Sequence, residues 1–158
     1  MATLLFKYQL INEAGQPTGW LSKKGSFDGE QIHLDGESFP AVSIVVTMLV
    51  KKVFVFVFDD GVQEPRTLSL VMHSGNTQLL KTEVDRIRSA AQVAKLESAW
   101  RANGQTGPFR KEMCPNCAAT LNLSNFDATP QIFCDYCDTI YTVPKQPETA
   151  AGNIAAAL

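Results

Sequence analysis

The chain has 158 residues, of which 45% are hydrophobic and 19% are charged, and its formal net charge is −2. This composition can build a buried core, and the mixed signs of charge exclude a domain-wide basic field for nucleic acid or anionic lipid. We expect no signal peptide, and the longest apolar stretch, residues 44–58, is too short and too charged to span a bilayer. We therefore expect a cytoplasmic protein whose four cysteines remain reduced.

The first predicted strand lies near the N-terminus, where Phe6, Tyr8 and Leu10 alternate with polar residues. This period of two is typical of a strand with one buried face. A loop is predicted over residues 12–19, and a second strand is predicted to begin at Trp20. The chain therefore starts as a series of short strands.

A tight hairpin is predicted after a short strand at residues 31–34. The next two residues are Asp35 and Gly36, and both tolerate the positive φ that a two-residue hairpin turn requires. The segment after this turn contains Pro40, which has no N–H to donate to a neighbouring strand. We therefore expect an edge strand or a turn there.

Three longer strands are predicted over about residues 42–49, 52–58 and 66–73. In the second of them three phenylalanines alternate with three valines, so both faces of the strand are apolar. The first of them is similar. Its alternate residues are assigned to opposite faces: one face carries Ile44, Val46 and Met48, and the other carries Val45, Thr47 and Leu49. Because a small antiparallel sheet normally leaves one face in water, these strands need a cover on both sides.

A long helix is predicted over residues 77–102, where apolar residues recur at helical spacing. Either Asn76 or Thr77 can cap its N-terminus. The apolar positions are Leu80, Val84, Ile87, Ala91 and Ala94, and then Val93, Leu96 and Trp100 on a drifting stripe. Such a helix is longer than a small barrel is wide, so its second half needs another partner.

The strongest functional signal is a pair of Cys-x-x-Cys motifs. Cys114 and Cys117 form the first motif, Cys134 and Cys137 form the second, and sixteen residues separate them. Two residues between cysteines allow a tight turn that directs both sulfurs at one point, and two such turns complete a tetrahedral site of four thiolates. We therefore predict one structural Zn²⁺ ion per chain, in a module that covers residues 109–145.

Three other interpretations of the cysteines fit the rest of the chain less well. Paired redox dithiols need a strand–helix context, and two disulfides need a secreted protein. A catalytic zinc needs an open coordination position, which four thiolates do not leave. A module of about 35 residues also buries too little apolar surface to fold alone, so metal binding is expected to supply its folding energy.

Residues 113–143 resemble the zinc-ribbon family, with the four cysteines at its ligand positions. Ribbon turns often carry glycine after the second cysteine of each motif, whereas this chain has Ala118 and Asp138 there. The resemblance implies nucleic-acid binding as one function of such a module. The local charges oppose that function, because acidic residues outnumber basic ones between positions 105 and 145.

The upstream region resembles the pleckstrin-homology-like superfold, in which a barrel of short strands is plugged by a C-terminal helix. The resemblance rests on residues 25–36, residues 39–44 and the helix at residues 79–100. It implies a PH-like β-barrel or sandwich over residues 1–104, which together with the zinc ribbon gives a fold that is mainly β with one long α-helix. Residues 146–158 are small and polar with no periodicity, so we expect a flexible tail there. An unrelated sandwich or an α+β domain with the same order of elements remains an alternative.

Members of this superfold that bind phosphoinositides use a basic cluster in the first hairpin. Lys7, Lys23 and Lys24 are the candidates here, but Asp28 and Glu30 are close to them in sequence. A solvated hairpin is therefore the better interpretation. Binding of anionic lipid at a membrane surface and binding of nucleic acid through the ribbon stay as alternatives to our main hypothesis.

The main hypothesis is a protein-interaction or assembly module, and we expect neither an enzyme nor any catalytic residue. His33 and His73 are the only histidines, and neither has a nucleophile motif nearby, so both are interpreted as ordinary strand residues. Trp20 and Trp100 are interpreted as packing anchors.

Self-association is predicted from the surplus apolar surface of the strands. The distal helix and the ribbon are possible internal covers, the ribbon through Phe126, Ile132 and Phe133. A module of that size is expected to leave part of the surface open, so we predict a homodimer with Trp100 at or near its interface.

Overall fold

The computed structural model of the chain describes residues 2–124 and 131–142. This part is mainly β with a single long helix, as the sequence predicts. The elements are β1 (Leu4–Leu10), β2 (Lys23–Phe27), β3 (Gln31–Leu34), β4 (Glu37–Pro40), a 3-10 turn (Ala41–Ser43), β5 (Ile44–Val50), β6 (Val53–Phe58), β7 (Arg66–Ser74), α1 (Thr77–Ala102), β8 (Lys111–Met113), β9 (Thr120–Asn122), β10 (Gln131–Phe133) and β11 (Ile140–Thr142). Phe126 and the tail predicted at residues 146–158 lie outside the described residues.

Strands β1 to β7 form one antiparallel sheet in the order β4-β3-β2-β1-β7-β6-β5. The chain meanders from β1 to β4 and again from β5 to β7, and β7 returns to pair with β1. The two edges, β4 and β5, do not pair with each other within the described residues, so the sheet is not a closed barrel. Helix α1 packs against β5 and against the 3-10 turn that joins the two edges.

The hairpin between β3 and β4 forms where the sequence predicts it. Asp35 and Gly36 have φ angles of 48° and 85°, the positive values that a two-residue turn requires. Pro40 ends β4 at the edge of the sheet, as its missing N–H predicts.

The second strand begins later than predicted, at Lys23 rather than at Trp20. The preceding loop folds back on β1, where the Thr18 N–H donates to the Leu10 carbonyl at 2.8 Å. Trp20 follows this return, outside any strand, and its side chain is fully exposed. The interpretation of Trp20 as a packing anchor is therefore wrong.

One hydrophobic core lies between the sheet and α1. Phe54 and Phe56 of β6 are completely buried in it, and α1 contributes Leu80 and Val84. Burial of such side chains stabilises the fold by roughly 1.5–3 kcal/mol each. The other buried members are Phe6, Tyr8, Phe27, Ile32, Leu34, Phe39, Ala41, Ile44, Leu68, Leu70 and Met72.

Strand β5 contains a bulge at Val45, and the residues before and after it therefore alternate out of step. Ile44 pairs with Phe58 and Val46 pairs with Val57, so Val45 has no partner on β6. Ile44 consequently joins the core, whereas Val46 lies on the outer face. The prediction that these two side chains share a face is wrong, because an inserted residue leaves no mark in the alternation of apolar residues.

Helix α1 spans the range that the periodicity predicts, and the Asn76 side chain caps it by accepting a hydrogen bond from a first-turn N–H at 3.0 Å. Its buried stripe differs from the prediction. Leu80, Val84 and Arg88 are spaced by four residues and buried, whereas Ile87 is only half-buried. No helix in the described part of the chain is long and apolar enough to cross a membrane.

Candidate metal centre

The four cysteines meet at one point. The Sγ atoms of Cys114 and Cys137 are 3.7 Å apart, and those of Cys117 and Cys134 are 3.5 Å apart. All four sulfurs lie within 4.8 Å of one another. Each short distance joins one motif to the other, so the two motifs form one cluster.

These distances fit metal ligands rather than disulfides. A disulfide needs about 2.05 Å between sulfurs, and all four residues are free cysteines. Four sulfurs at about 2.3 Å from one ion in a tetrahedron lie roughly 3.8 Å apart. The cluster can therefore hold one metal ion, and four thiolates would leave that ion no open coordination position.

Each motif forms the turn of a short hairpin, which is why the sulfurs converge. In the first hairpin, β8–β9, the Cys114 N–H donates to the Ala119 carbonyl at 2.8 Å. In the second, β10–β11, the Cys134 N–H donates to the Thr139 carbonyl at 3.0 Å. The same backbone geometry is used twice. Strands β8 and β10, which precede the two motifs, were not predicted from the sequence.

The residue after each motif has an unusual backbone conformation. Ala118 has a φ of 57° and Asp138 has a φ of 56°, in the left-handed region that glycine adopts without strain. Their N–H groups donate to the carbonyls of Cys114 and Cys134, both at 2.9 Å. The turn therefore requires a positive φ at the two positions where this chain lacks glycine.

Burial and hydrogen bonding shift the pKa values of three of the thiols in different directions. Burial raises the pKa of Cys117 and of Cys134. Burial also acts to raise the pKa of Cys137, but hydrogen bonds with the Thr139 and Asn116 side chains outweigh it and lower that pKa to about 6. Since a metal binds thiolates, binding must displace protons from the more basic thiols.

The first cysteine turn is bonded directly to the edge of the large sheet. The Thr47 N–H of β5 donates to the Cys117 carbonyl at 3.2 Å. An edge strand exposes unpaired backbone groups that invite the wrong partner unless something covers them. Here the ribbon, meaning β8 to β11 with their two turns, covers part of that edge.

A buried arginine connects the helix, the sheet edge and the ribbon. Arg88 is 0% exposed and donates to the Ala118 carbonyl of the ribbon and, at 3.3 Å, to the Val45 carbonyl of β5. Its Nε donates to Asp85 at 2.7 Å. Asp85 also accepts hydrogen bonds from Thr47 and Lys81. The buried charge is therefore paired and hydrogen-bonded on several sides, as burial requires.

Gln92, one turn further along α1, completes this junction. Its amide Nε2 donates to the Val45 carbonyl at 2.8 Å, and its Oε1 accepts from the Thr120 hydroxyl at 3.0 Å. The β5 bulge supplies the carbonyl that both Arg88 and Gln92 bind. The sequence interpretation missed both residues. The available signal was a charged side chain four residues after Val84, on the buried stripe of the helix.

The ribbon also covers the outer apolar face of β5 and β6. Val46 is buried in a second hydrophobic cluster with Leu121 and Ile132 of the ribbon, and Met48 and Val57 pack against it. The ribbon is therefore one internal cover, through Ile132. Of the other residues predicted for that role, Phe133 is 67% exposed and Phe126 lies outside the described residues.

The distal end of α1 is covered within the chain as well. Trp100 is 8% exposed, and its ring lies 5.8 Å from that of Phe109, centroid to centroid. Trp100 is therefore a packing anchor, as predicted. The same packing buries it inside the chain, whereas the sequence placed it at or near a homodimer interface.

The two histidines lie outside this centre. His33 faces Ser38 across the β3–β4 hairpin, with Nδ1 at 2.8 Å from its hydroxyl, and Nε2 lies 2.7 Å from Asp28. Asp28 also accepts two backbone N–H bonds in the β2–β3 turn, so this chain of hydrogen bonds holds two turns together. His73 pairs with Gln9 on the neighbouring strand at 2.7 Å.

Comparisons with protein-family models, with curated proteins and with solved structures found no significant match to this chain.

Proposed function

We propose that the chain is a non-enzymatic protein-interaction module in which one structural Zn²⁺ ion, bound by Cys114, Cys117, Cys134 and Cys137, holds the ribbon on the large sheet. The observation that carries this proposal is the junction of the cysteine cluster with β5 and α1. The carbonyls of Cys117 and Ala118, in the first cysteine turn, accept hydrogen bonds from Thr47 and Arg88. Metal binding in that turn would thus fix the position of the whole ribbon.

Zinc is the metal that this donor set favours. Four thiolates in a tetrahedron suit Zn²⁺, which has no geometric preference of its own and no redox chemistry. Iron in a four-cysteine site is the competing assignment, and metal analysis separates the two. Cobalt substitution gives a second test, because a tetrahedral four-thiolate Co²⁺ site has a characteristic visible spectrum and an octahedral site does not.

A PH-like architecture for the upstream region is part of the proposal. The seven-stranded meander, the return of β7 to β1, the opening between β4 and β5, and the C-terminal helix at that opening all support it. An experimental structure tests it. A helix that does not pack at the open side of the sheet would contradict the assignment.

The proposed interaction surface is a groove between α1 and the ribbon, of about 630 Å³. Within the described residues β9 pairs with no strand other than β8, and β10 pairs with none other than β11. The outer edge of β10 is therefore unpaired, whereas at the outer edge of β9 the Thr120 N–H donates to the Gln92 side chain at 3.3 Å. Residues of both strands line the groove. Its apolar lining consists of Val45 of β5, Leu96 and Ala99 of α1, and Leu121, Ile132, Phe133 and Tyr136 of the ribbon.

We propose that an extended segment of another protein binds this groove. A free strand edge offers backbone hydrogen bonds to such a segment, and the apolar lining offers contacts for its side chains. Phe133 and Tyr136 are large and exposed, as anchor residues of an interface are before a partner binds. The alternative occupant is a second copy of the chain.

The groove is tested with a matched pair of exposed residues, Phe133→Asp in the groove and Leu5→Asp on β1. Both side chains are exposed, so neither change removes core packing. Affinity capture from native lysate is compared with the unchanged protein. We expect Phe133→Asp to lose a partner that Leu5→Asp retains. Equal capture by both variants would contradict the groove as the binding site.

Sedimentation velocity at micromolar concentration shows whether the groove binds a second copy of the chain instead of another protein. A dimer that Phe133→Asp dissociates would identify the occupant as a second copy. A monomer that captures no partner would contradict the interaction function itself.

A further inference from the structure

A second cavity shares no lining residue with the helix–ribbon groove or with the cysteine cluster. It has a volume of about 360 Å³ and is formed by the end of β1, the β3–β4 turn and the start of β7. Leu10, Leu34 and Leu68 line it with apolar side chains. This volume is within the range of sites for small molecules.

The hydroxyl of Tyr8 is the unusual group in this cavity. Tyr8 lines the cavity and is 0% exposed, and its Oη has no hydrogen-bond partner among the described residues. A buried hydroxyl without a partner destabilises the folded state, because it loses its bonds to water and gains none in return. Such a group is therefore expected to have a partner that the rest of this chain does not supply.

The charged groups at the mouth of the cavity are already paired. Arg66 donates to both carboxylate oxygens of Glu37, at 3.0 and 3.3 Å. Lys23 forms an ion pair with Asp35. A charged ligand would therefore find no free counter-charge here, and the site favours an uncharged one.

Tyr8 presents its hydroxyl as a neutral group. Burial raises its pKa, and the nearby Asp35 and Glu37 carboxylates raise it further. At neutral pH the side chain keeps its proton and can donate a hydrogen bond. The natural complement is an acceptor oxygen on a molecule that is otherwise apolar.

We propose that this cavity binds a small, uncharged, mainly apolar molecule through one acceptor oxygen that takes a hydrogen bond from the Tyr8 hydroxyl. The site is independent of the metal centre and of the helix–ribbon groove. The observations that carry it are the unpartnered hydroxyl, the three leucines and the paired charges at the mouth.

The test uses two probes of the same shape. Cyclohexanone carries one acceptor oxygen, and methylenecyclohexane has a CH₂ group in its place. Binding is followed by NMR through the methyl signals of Leu10, Leu34 and Leu68, in the unchanged protein and in Tyr8→Phe. We expect cyclohexanone to shift these signals and to bind Tyr8→Phe about five- to tenfold more weakly, the loss of one neutral hydrogen bond. Methylenecyclohexane should bind both proteins equally.

A third variant, Leu68→Phe, fills the cavity while the hydroxyl remains, and should abolish the shifts from both probes. The proposal is overturned if neither probe shifts the three leucine signals at millimolar concentration, or if Leu68→Phe leaves binding unchanged. It is also overturned if the unchanged protein binds the two probes equally well. That last comparison needs no variant, so it stands even if Tyr8→Phe does not fold.

Discussion

At the scale of single residues, Arg88 connects three parts of the fold. It is fully buried and bonded to Asp85, to β5 and to the ribbon. Replacement by methionine keeps much of the volume but leaves the Val45 and Ala118 carbonyls with fewer donors and Asp85 with one partner less. Breaking a buried ion pair costs about 3 kcal/mol or more, so we expect that loss in the free energy of unfolding, measured with urea.

Arg86→Met is the matched control for this change. Arg86 is on the same helix and pairs with Glu83, but its side chain is largely exposed. Exposed ion pairs contribute little, so its effect should stay within about 0.5 kcal/mol. Equal losses in the two variants would mean that the buried junction does not contribute as the geometry indicates.

Ala118 and Asp138, which have a positive φ in the cysteine turns, lead to a prediction of increased stability. Ala118→Gly and Asp138→Gly remove the steric cost of the left-handed conformation, and each should stabilise the metal-loaded protein by about 0.5–1 kcal/mol. Thermal unfolding of the metal-loaded protein measures this change. The smaller gain is expected at Asp138, because aspartate tolerates this conformation better than alanine.

The control for the turns is Ala119→Gly, at a buried neighbour that is not among the residues with a positive φ. Glycine there adds backbone freedom to the unfolded chain and removes a packed methyl group, so it should destabilise by about 1 kcal/mol. Stabilisation at position 119, or destabilisation at positions 118 and 138, would contradict the geometry of the turns.

Metal affinity should fall as the pH falls, because protons compete with the metal ion for the cysteine sulfurs. Burial raises the pKa of Cys117 and Cys134, so at pH 7 both bind protons that a metal must displace. Cys137, with a pKa of about 6, is already a thiolate at that pH. Affinity should therefore fall as pH falls from 8 to 6.5. The pH dependence should correspond to the release of roughly two or more protons for each metal ion bound. Competition with a chelator at several pH values measures it, and an affinity independent of pH would contradict a four-thiolate site.

At the scale of elements, the features that the sequence predicts are those with a local cause. The Asp35–Gly36 turn follows from the backbone freedom of two residues, and the start of α1 follows from the Asn76 cap. The spacing of the cysteines predicts their meeting, because each short turn aims two sulfurs at one point. Each of these structures is specified within a few neighbouring residues.

The features that sequence did not predict depend on distant partners. The bulge at Val45 is stabilised by Arg88 and Gln92, some forty residues later in the chain. Arg88 continues the buried stripe of Leu80 and Val84, but the carbonyls that make burial of its charge possible lie on β5 and in the ribbon, far from it in sequence. Trp20 was expected to pack because tryptophan usually does, yet the loop before it turns back on β1 and its side chain is fully exposed.

At the scale of the whole molecule, the surplus apolar surface of β5 and β6 is covered in part inside the chain. The core covers Phe54 and Phe56, and the ribbon packs against Val46, Met48 and Val57 of the outer face. This arrangement weakens the original reason for expecting a homodimer. The exposed groups of the ribbon are now the better candidates for an interface.

Weak and unselective binding of lipid is predicted at this scale. Lys23 is paired with Asp35 on the neighbouring hairpin, so one of the three candidate lysines already has a counter-charge. We expect no selectivity among phosphoinositide headgroups in a liposome sedimentation assay, and only weak, salt-sensitive binding to anionic vesicles. Headgroup-specific binding that Lys23→Ala or Lys24→Ala abolishes would contradict this expectation.

The central claim is that four cysteines hold one zinc ion and thereby fix the ribbon on the sheet. Native mass spectrometry of protein purified without added metal tests it most directly. We expect one zinc ion per chain in the unchanged protein, and loss of that ion in Cys134→Ser. A mass that corresponds to the metal-free chain with reduced cysteines, or to a chain with two disulfides, would contradict the account.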